Sequence, residues 1–232
     1  MFEILRSKDR GNADHGWLKS RHTFSFANYY NPNYMGFRSL RVINEDHIDG
    51  GTGFDMHGHK DMEIISYVAS GALYHEDSKG NKATILPGEV QRMSAGTGVL
   101  HSEHNKSDIE KAHLFQIWIM PNKTGVPFSY GQKSFEEDIK NKDMVLVVSE
   151  SGREGSININ QDADLYISNL KKDKTVNFDI KPGRNIWIQM IKGAVEVNGE
   201  KIETGDGLRT SQSQLLNIKS SDDSEFMLFD LA

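Results

Sequence analysis

Residues 51–71 read Gly51-Thr-Gly-Phe-Asp-Met-His57-Gly-His59-Lys-Asp-Met-Glu63-Ile-Ile-Ser-Tyr-Val-Ala-Ser-Gly71. Side chains at i and i+2 of a β-strand share a face, so His57 and His59 leave one strand in the same direction. Charged Lys60-Asp61 interrupts that strand, the apolar run from Glu63 supplies another, and Gly71 marks the turn after it. The same punctuation recurs along the chain. Segments rich in Val, Ile, Tyr and Phe stand at residues 39–43, 63–68, 114–120, 145–148, 186–191 and 225–231. Between them lie turn signals such as Asp49-Gly50-Gly51, Lys79-Gly80-Asn81, Pro87-Gly88 and Asn198-Gly199. An all-β protein is expected. Helical patterning is confined to residues 133–142, where Ser134 followed by Glu136 and Glu137 can cap a short turn.

The two halves read as diverged copies. Glu63-Ile-Ile-Ser-Tyr-Val-Ala-Ser-Gly71-Ala and Ile186-Trp-Ile-Gln-Met-Ile-Lys-Gly193-Ala-Val each run strand, then Gly-Ala turn, and each is followed by a hairpin and a Gly-acid turn, Gly88-Glu89 and Gly205-Asp206. A repeat of this size predicts two antiparallel β-barrels or sandwiches side by side. The boundaries expected are 1–122, a crossover with a short helix at 123–143, and 144–232. All nine histidines lie within the first 113 residues; the register of Gly71 on Gly193 sets Asp179 and Lys181 where the first copy has His57 and His59. A metal site therefore belongs to the N-terminal half.

Composition sets the bounds. The chain has 232 residues, 37% hydrophobic and 26% charged, with a net charge of −6 and no cysteine. The negative charge argues against electrostatic binding to nucleic acid or a membrane surface. No secretory signal or membrane-length apolar run is visible. A cytoplasmic protein without disulfides or thiol chemistry is expected, and paired internal barrels remove one reason to dimerise, so a monomer is expected.

A second i, i+2 pair, His101-Ser102-Glu103, can face the first. Together they offer three imidazoles and a carboxylate to one divalent transition ion, and with no cysteine the ligands must be nitrogen and oxygen, which suits Fe, Mn, Co, Ni, Cu or Zn. Two carboxylates compete to complete the set. Glu103 shares a face with His101; Glu63 follows His59 by four residues and can instead lie one layer further out. Ala95-Gly-Thr-Gly98 lacks the lysine of a phosphate loop and reads as a tight turn bringing His101 inward. The aromatic run Phe24, Phe26, Tyr29, Tyr30, Tyr34 and Phe37 either lines a pocket for a flat ligand or seals one end of a barrel. His15 and His22 fit local hydrogen bonding that fastens the N-terminal segment, with His22 also placed to reach a pocket mouth. His75 and His113 read as strand-surface or core residues.

Gly51-x5-His57-x-His59-x3-Glu63-x7-Gly71 and Gly88-x5-Ser94-x-Gly96-x4-His101-x3-Asn105 resemble the two cupin motifs, so the fold is expected to be a bicupin of jelly-roll type. His101-Ser-Glu103, Arg10-Gly-Asn-Ala-Asp14-His15-Gly16-Trp17, Arg21-His22-Thr-Phe-Ser-Phe26 and Met93-Ser-Ala-Gly-Thr-Gly98 resemble the pirin family specifically, and its bacterial quercetinase-like members in particular. The resemblance implies His57, His59, His101 and Glu103 as metal ligands. It implies a dioxygenase that cleaves a flavonol such as quercetin with dioxygen, with Glu103 or Glu63 taking up the substrate proton. The same resemblance also allows a non-enzymatic, metal-binding regulator that contacts transcription or metabolic partners.

Overall fold

The computed structural model describes residues 1–232 and is built almost wholly from strands. The first half of the chain forms β1 (Glu3–Leu5), β2 (Gly11–Asp14), β3 (Leu18–His22), β4 (Leu40–Ile48), β5 (Thr52–His59), β6 (Glu63–Ser70), β7 (Leu73–Asp77), β8 (Lys82–Ile85), β9 (Glu89–Ser94), β10 (Val99–Asn105), β11 (Ala112–Ile119) and β12 (Ser129–Ser134). Helix α1 (Glu136–Asn141) follows. The remainder forms β13 (Val145–Ser149), β14 (Ile157–Asn158), β15 (Ala163–Leu170), β16 (Thr175–Asp179), β17 (Asn185–Lys192), β18 (Ala194–Val197), β19 (Glu200–Glu203), β20 (Gly207–Thr210), β21 (Leu215–Ser220) and β22 (Ser224–Leu231).

The chain divides into two units, Gly11–Glu136 with Ile159–Gln161, and Met1–Arg10 with Glu137–Asn158 and Asp162–Ala232. Each is a sandwich of two sheets rather than a closed barrel. In the first unit a seven-stranded sheet in the order β12-β9-β6-β11-β4-β3-β2 faces a four-stranded sheet, β5-β10-β7-β8. In the second, β1-β20-β17-β22-β15-β13-β14 accompanies β16-β21-β18-β19. The small sheets correspond strand for strand. In the large sheets β9-β6-β11-β4 corresponds to β20-β17-β22-β15, which is the internal repeat expressed as topology.

The first ten residues depart from the contiguous boundaries expected from the sequence. β1 pairs with β20, Glu3 opposite Arg209 and Leu5 opposite Gly207, and Arg6 Nη1 donates to Asp206 Oδ2 at 2.7 Å. The expected crossover also contains a strand: β12 pairs with β9 from Ser129↔Ser94 to Ser134↔Glu89. The helix is one short turn and a half, Glu136–Asn141, with the Ser134 hydroxyl accepting from the Glu136 N–H at 3.4 Å.

Alternation decides which face of each strand is buried. β7 reads Leu-Tyr-His-Glu-Asp, with its first, third and fifth residues buried, as a half-buried strand requires. Each fully buried Ile, Leu, Val or Phe contributes about 1.5–3 kcal/mol of transfer free energy. In the second unit one cluster gathers Ile186, Ile188, Val195, Ile202, Leu216, Ile218, Phe226 and Leu228. In the first unit two clusters flank the site. One gathers Leu18, Ile48, Val68, Leu73, Ile85 and Leu114; the other gathers Ile64, Met93, Ala95 and Val99, with Trp118 packed on it. Between them a single cross-strand row is polar: His22 opposite Asn44, Asn44 opposite Gln116, Gln116 opposite Ser66, Ser66 opposite Gln91. That band is the floor on which the site is built.

Candidate metal centre

β5 and β10 are neighbours in the small sheet, with His57 opposite His101 and Glu103 opposite Phe54. Two steps along β10 therefore match three along β5: a bulge that leaves Asp55 and Met56 both exposed. The bulge resets the alternation, so Phe54, His57 and His59 all line the same cavity. The turn before β10 closes through the Gly98 N–H to the Ala95 carbonyl at 2.9 Å. Gly96 there has φ +48°, and a Cβ would fall 2.1 Å from the Val126 carbonyl oxygen, so only glycine fits. This turn delivers His101 to the interior as expected.

The three imidazoles converge. Ring centroids are 4.4 Å apart for His57 and His101, 4.8 Å for His59 and His101, and 4.9 Å for His57 and His59. One ligand-capable nitrogen from each lies within 4.8 Å of the others. His57 Nδ1 lies 2.8 Å from the Asp55 carbonyl oxygen, an acceptor only, so Nδ1 carries the proton and Nε2 keeps its lone pair. Burial first, and then the neighbouring imidazoles, push His59 down to about 4 and His101 down to about 3. Both rings are neutral at physiological pH. Nε2 of His59 and Nε2 of His101 are nevertheless buried with no hydrogen-bond partner. Unsatisfied buried nitrogens are rare and need a reason; a cation accepting three lone pairs is a sufficient one, and the donor set fits it.

Glu103 is buried at 1% exposure. Gln116 Nε2 donates to both of its carboxylate oxygens, at 2.9 and 2.8 Å, and Ser66 Oγ donates to Oε1 at 3.4 Å. Its oxygens group within 4.8 Å with the nitrogens of His75 and His101 rather than with all three imidazoles of the first trio. His101 belongs to both groups. Glu63, the other carboxylate considered, is equally buried but bonded elsewhere. Ser94 Oγ donates to its Oε2 at 2.7 Å and Asn160 Nδ2 to its Oε1 at 3.0 Å. It lines no part of the cavity.

The cavity beside the imidazoles measures about 700 Å³. Phe26, Tyr29, Phe54 and Trp118 form its apolar walls, while His22, Asn44 and Gln116 supply polar edges. Trp118 meets His59 edge-on at 5.0 Å, and Phe26 meets Trp118 likewise at 5.5 Å. The aromatic run thus divides: Phe26 and Tyr29 shape the cavity, Phe24 is buried core, and Tyr30 is exposed. His22 is buried and its Nδ1 bonds Asn44 Oδ1 at 2.9 Å, so it serves both as a local tie and as cavity wall. His113 bonds Glu45 Oε1 at 3.0 Å and stacks on exposed His47 at 4.1 Å. Asp179 and Lys181 pair with each other on the surface, and no cluster of metal-ligating side chains occurs in the C-terminal unit.

Sequence reasoning did not single out Gln116, Ser66, Gln91 or Asp77. For two of them a signal was present: Gln116 stands between Leu114 and Trp118, and Ser66 between Ile64 and Val68, on one face of their strands.

Three imidazoles converging beside a buried carboxylate, inside one of two repeated β-sandwiches, define a two-domain cupin. The chain belongs to the pirin family. The Pirin model matches residues 5–119 and the Quercetinase C-terminal cupin domain matches residues 146–231. A protein named quercetin 2,3-dioxygenase from Escherichia coli strain K12 is 49% identical over 231 residues, spanning 100% of this chain and 99% of that one. The crystal structure of E. coli YhhW superimposes with a TM-score of 0.96 at 49% identity, covering 100% of this chain and 98% of that one. The crystal structure of bacterial pirin YhhW in complex with nickel(II) gives 0.95 at 48% identity, covering 100% and 99%. No helix of the present protein is long and apolar enough to cross a membrane.

Proposed function

We propose that this protein is a metal-dependent dioxygenase acting in the cytoplasm, with His57, His59, His101 and Glu103 holding one divalent transition ion, iron before the others, and with a flavonol such as quercetin as substrate. The observation that carries the reading is the convergence of His57, His59 and His101, with buried, unpartnered Nε2 atoms on His59 and His101, beside an aromatic-walled cavity that His57, His59 and Glu103 line. When bound, the ion supplies a Lewis acid that favours the anionic form of a ring hydroxyl. Phe54, Trp118 and Phe26 present flat apolar faces that hold a planar ring and exclude water from it. Gln116 fixes the Glu103 carboxylate from one side, leaving its remaining lone pairs to receive a hydroxyl proton at an oxygen atom. Glu63, held by Ser94 and Asn160, supports the sandwich wall rather than the proton transfer.

The test is oxygen uptake with quercetin by the metal-loaded protein, the metal-stripped protein and His57→Ala. Uptake by the first alone supports the dioxygenase. Absence of uptake with any catecholic substrate, together with metal-dependent binding to another protein, supports the regulator instead.

A further inference from the structure

His75 is fully buried, with its ring against His101 at 5.3 Å and against Tyr130 at 5.3 Å. Its contacts fix where every proton must sit. Asp77 Oδ1 accepts the backbone N–H groups of Lys79 and Asn81 at 2.8 and 3.1 Å, and Oδ2 accepts Asn81 Nδ2 at 2.8 Å. A carboxylate with three donors aimed at it is an acceptor. His75 Nε2, 3.3 Å from the same Oδ2, therefore carries a proton and donates. A neutral imidazole has one N–H, so His75 Nδ1 is a lone pair. Gln91 Nε2 at 3.4 Å donates to that nitrogen, which agrees. His101 Nδ1 also lies 3.4 Å from it and, facing a lone pair, is the second donor of a shared, bifurcated contact. The only nitrogen left on His101 without a proton is Nε2, the buried atom that faces no partner.

We infer that His75 and Asp77 are positioning residues that hold His101 as its Nδ1–H tautomer, so that its Nε2 lone pair is presented to the metal. The inference rests on the metal site proposed above. Ligating histidines are commonly oriented by a carboxylate or carbonyl on their other nitrogen; His57 follows that pattern through Asp55. At His101 a second imidazole is interposed, and the orienting carboxylate sits one ring further away, anchored in the β7–β8 turn. The relay connects that turn to the ligand without any contact with substrate.

Two readouts test this on the full-length protein. Long-range ¹⁵N–¹H spectra of the metal-free protein, labelled at histidine, report tautomers directly: His101 is expected protonated at Nδ1 and His75 at Nε2. Nickel(II) affinity, measured by competition with a chromophoric chelator, is expected to fall about 10–100-fold in His75→Phe and Asp77→Asn and to stay within about threefold in His75→Gln. The glutamine amide offers an acceptor to His101 and a donor to Asp77, so its rescue separates positioning from bulk packing. If His75→Phe does not fold, Asp77→Asn carries the same contrast, and there His75 is expected to reverse its tautomer. A His101 protonated at Nε2 in the wild type, or an unchanged nickel affinity in the non-conservative variants, overturns the inference. Failure of the wild type to bind nickel at all removes the proposed metal site, whereas the tautomers still decide this inference by themselves.

Discussion

Acidifying the metal-free protein from pH 7 to pH 5 is expected to weaken it by about 3 kcal/mol, through two histidines alone. The folded state holds His59 down to about 4 and His101 down to about 3, against an ordinary value of 6.5. Burial is the first cause and the neighbouring imidazoles the second. A group whose folded value is depressed in this way is protonated more readily when unfolded. At pH 7 neither state carries much of the proton. Between pH 6.5 and the folded values the unfolded chain takes it up and the folded chain does not, so stability falls as pH falls through that window. Each full separation contributes roughly 2 kcal/mol by pH 5; solvent screening at half-buried His59 reduces its share, which gives the total of about 3. Urea denaturation of the stripped protein at the two pH values, followed by tryptophan fluorescence, measures it. His101→Gln in the same background is expected to remove more than half of the difference. A stability independent of pH across this range, or an undiminished loss in His101→Gln, would refute the reasoning that these rings are held neutral. Added nickel(II) is expected to stabilise the protein more at pH 7 than at pH 5, because protons compete for the same nitrogens.

His101→Ala is expected to lose the bound metal and the oxygen uptake together, whereas Glu63→Ala keeps the metal and lowers stability by about 1–3 kcal/mol through the orphaned Ser94 and Asn160 donors. Elemental analysis and thermal melting distinguish the two outcomes. Phe54→Ala removes an apolar wall without touching the imidazoles, so KM for quercetin should rise about tenfold at unchanged metal content. Gly71→Ala places a Cβ 2.5 Å from the Lys111 carbonyl oxygen at φ +74°. A cost of about 1–3 kcal/mol is expected in denaturant unfolding, with the metal content of the folded fraction unaltered.

Much of this was legible in the residues because strand alternation holds on either side of the β5 bulge. Period two made His57 with His59, and His101 with Glu103, same-face pairs, and glycines at 71, 88, 193 and 199 marked turns that the structure builds at positive φ. The halves were comparable because their hairpin chemistry survived divergence. What could not be read was pairing over long separations. β1 carries only three residues, and nothing in Glu3-Ile-Leu names β20 as its partner. β12, Ser-Tyr-Gly-Gln-Lys-Ser, lacks apolar alternation because it is an outer strand with little burial. Asn160 bonds Glu63 from far along the chain, so the fate of that carboxylate was invisible locally. His75 looked like an ordinary inward residue because its partners come from β9, β10 and its own strand.

The bulge between Phe54 and His57 bears on how duplicated domains part company. In the C-terminal small sheet the equivalent pairing, β16 on β21, runs without a register shift from Thr175↔Lys219 to Asp179↔Leu215. Placing histidines at 179 and 181 would supply the letters of the N-terminal motif but not its phase. An extra residue would first have to be inserted ahead of them. The difference of a single backbone position thus adds an insertion to the two substitutions, and the copy without ligands is held in that state by strand arithmetic as much as by the identity of its side chains.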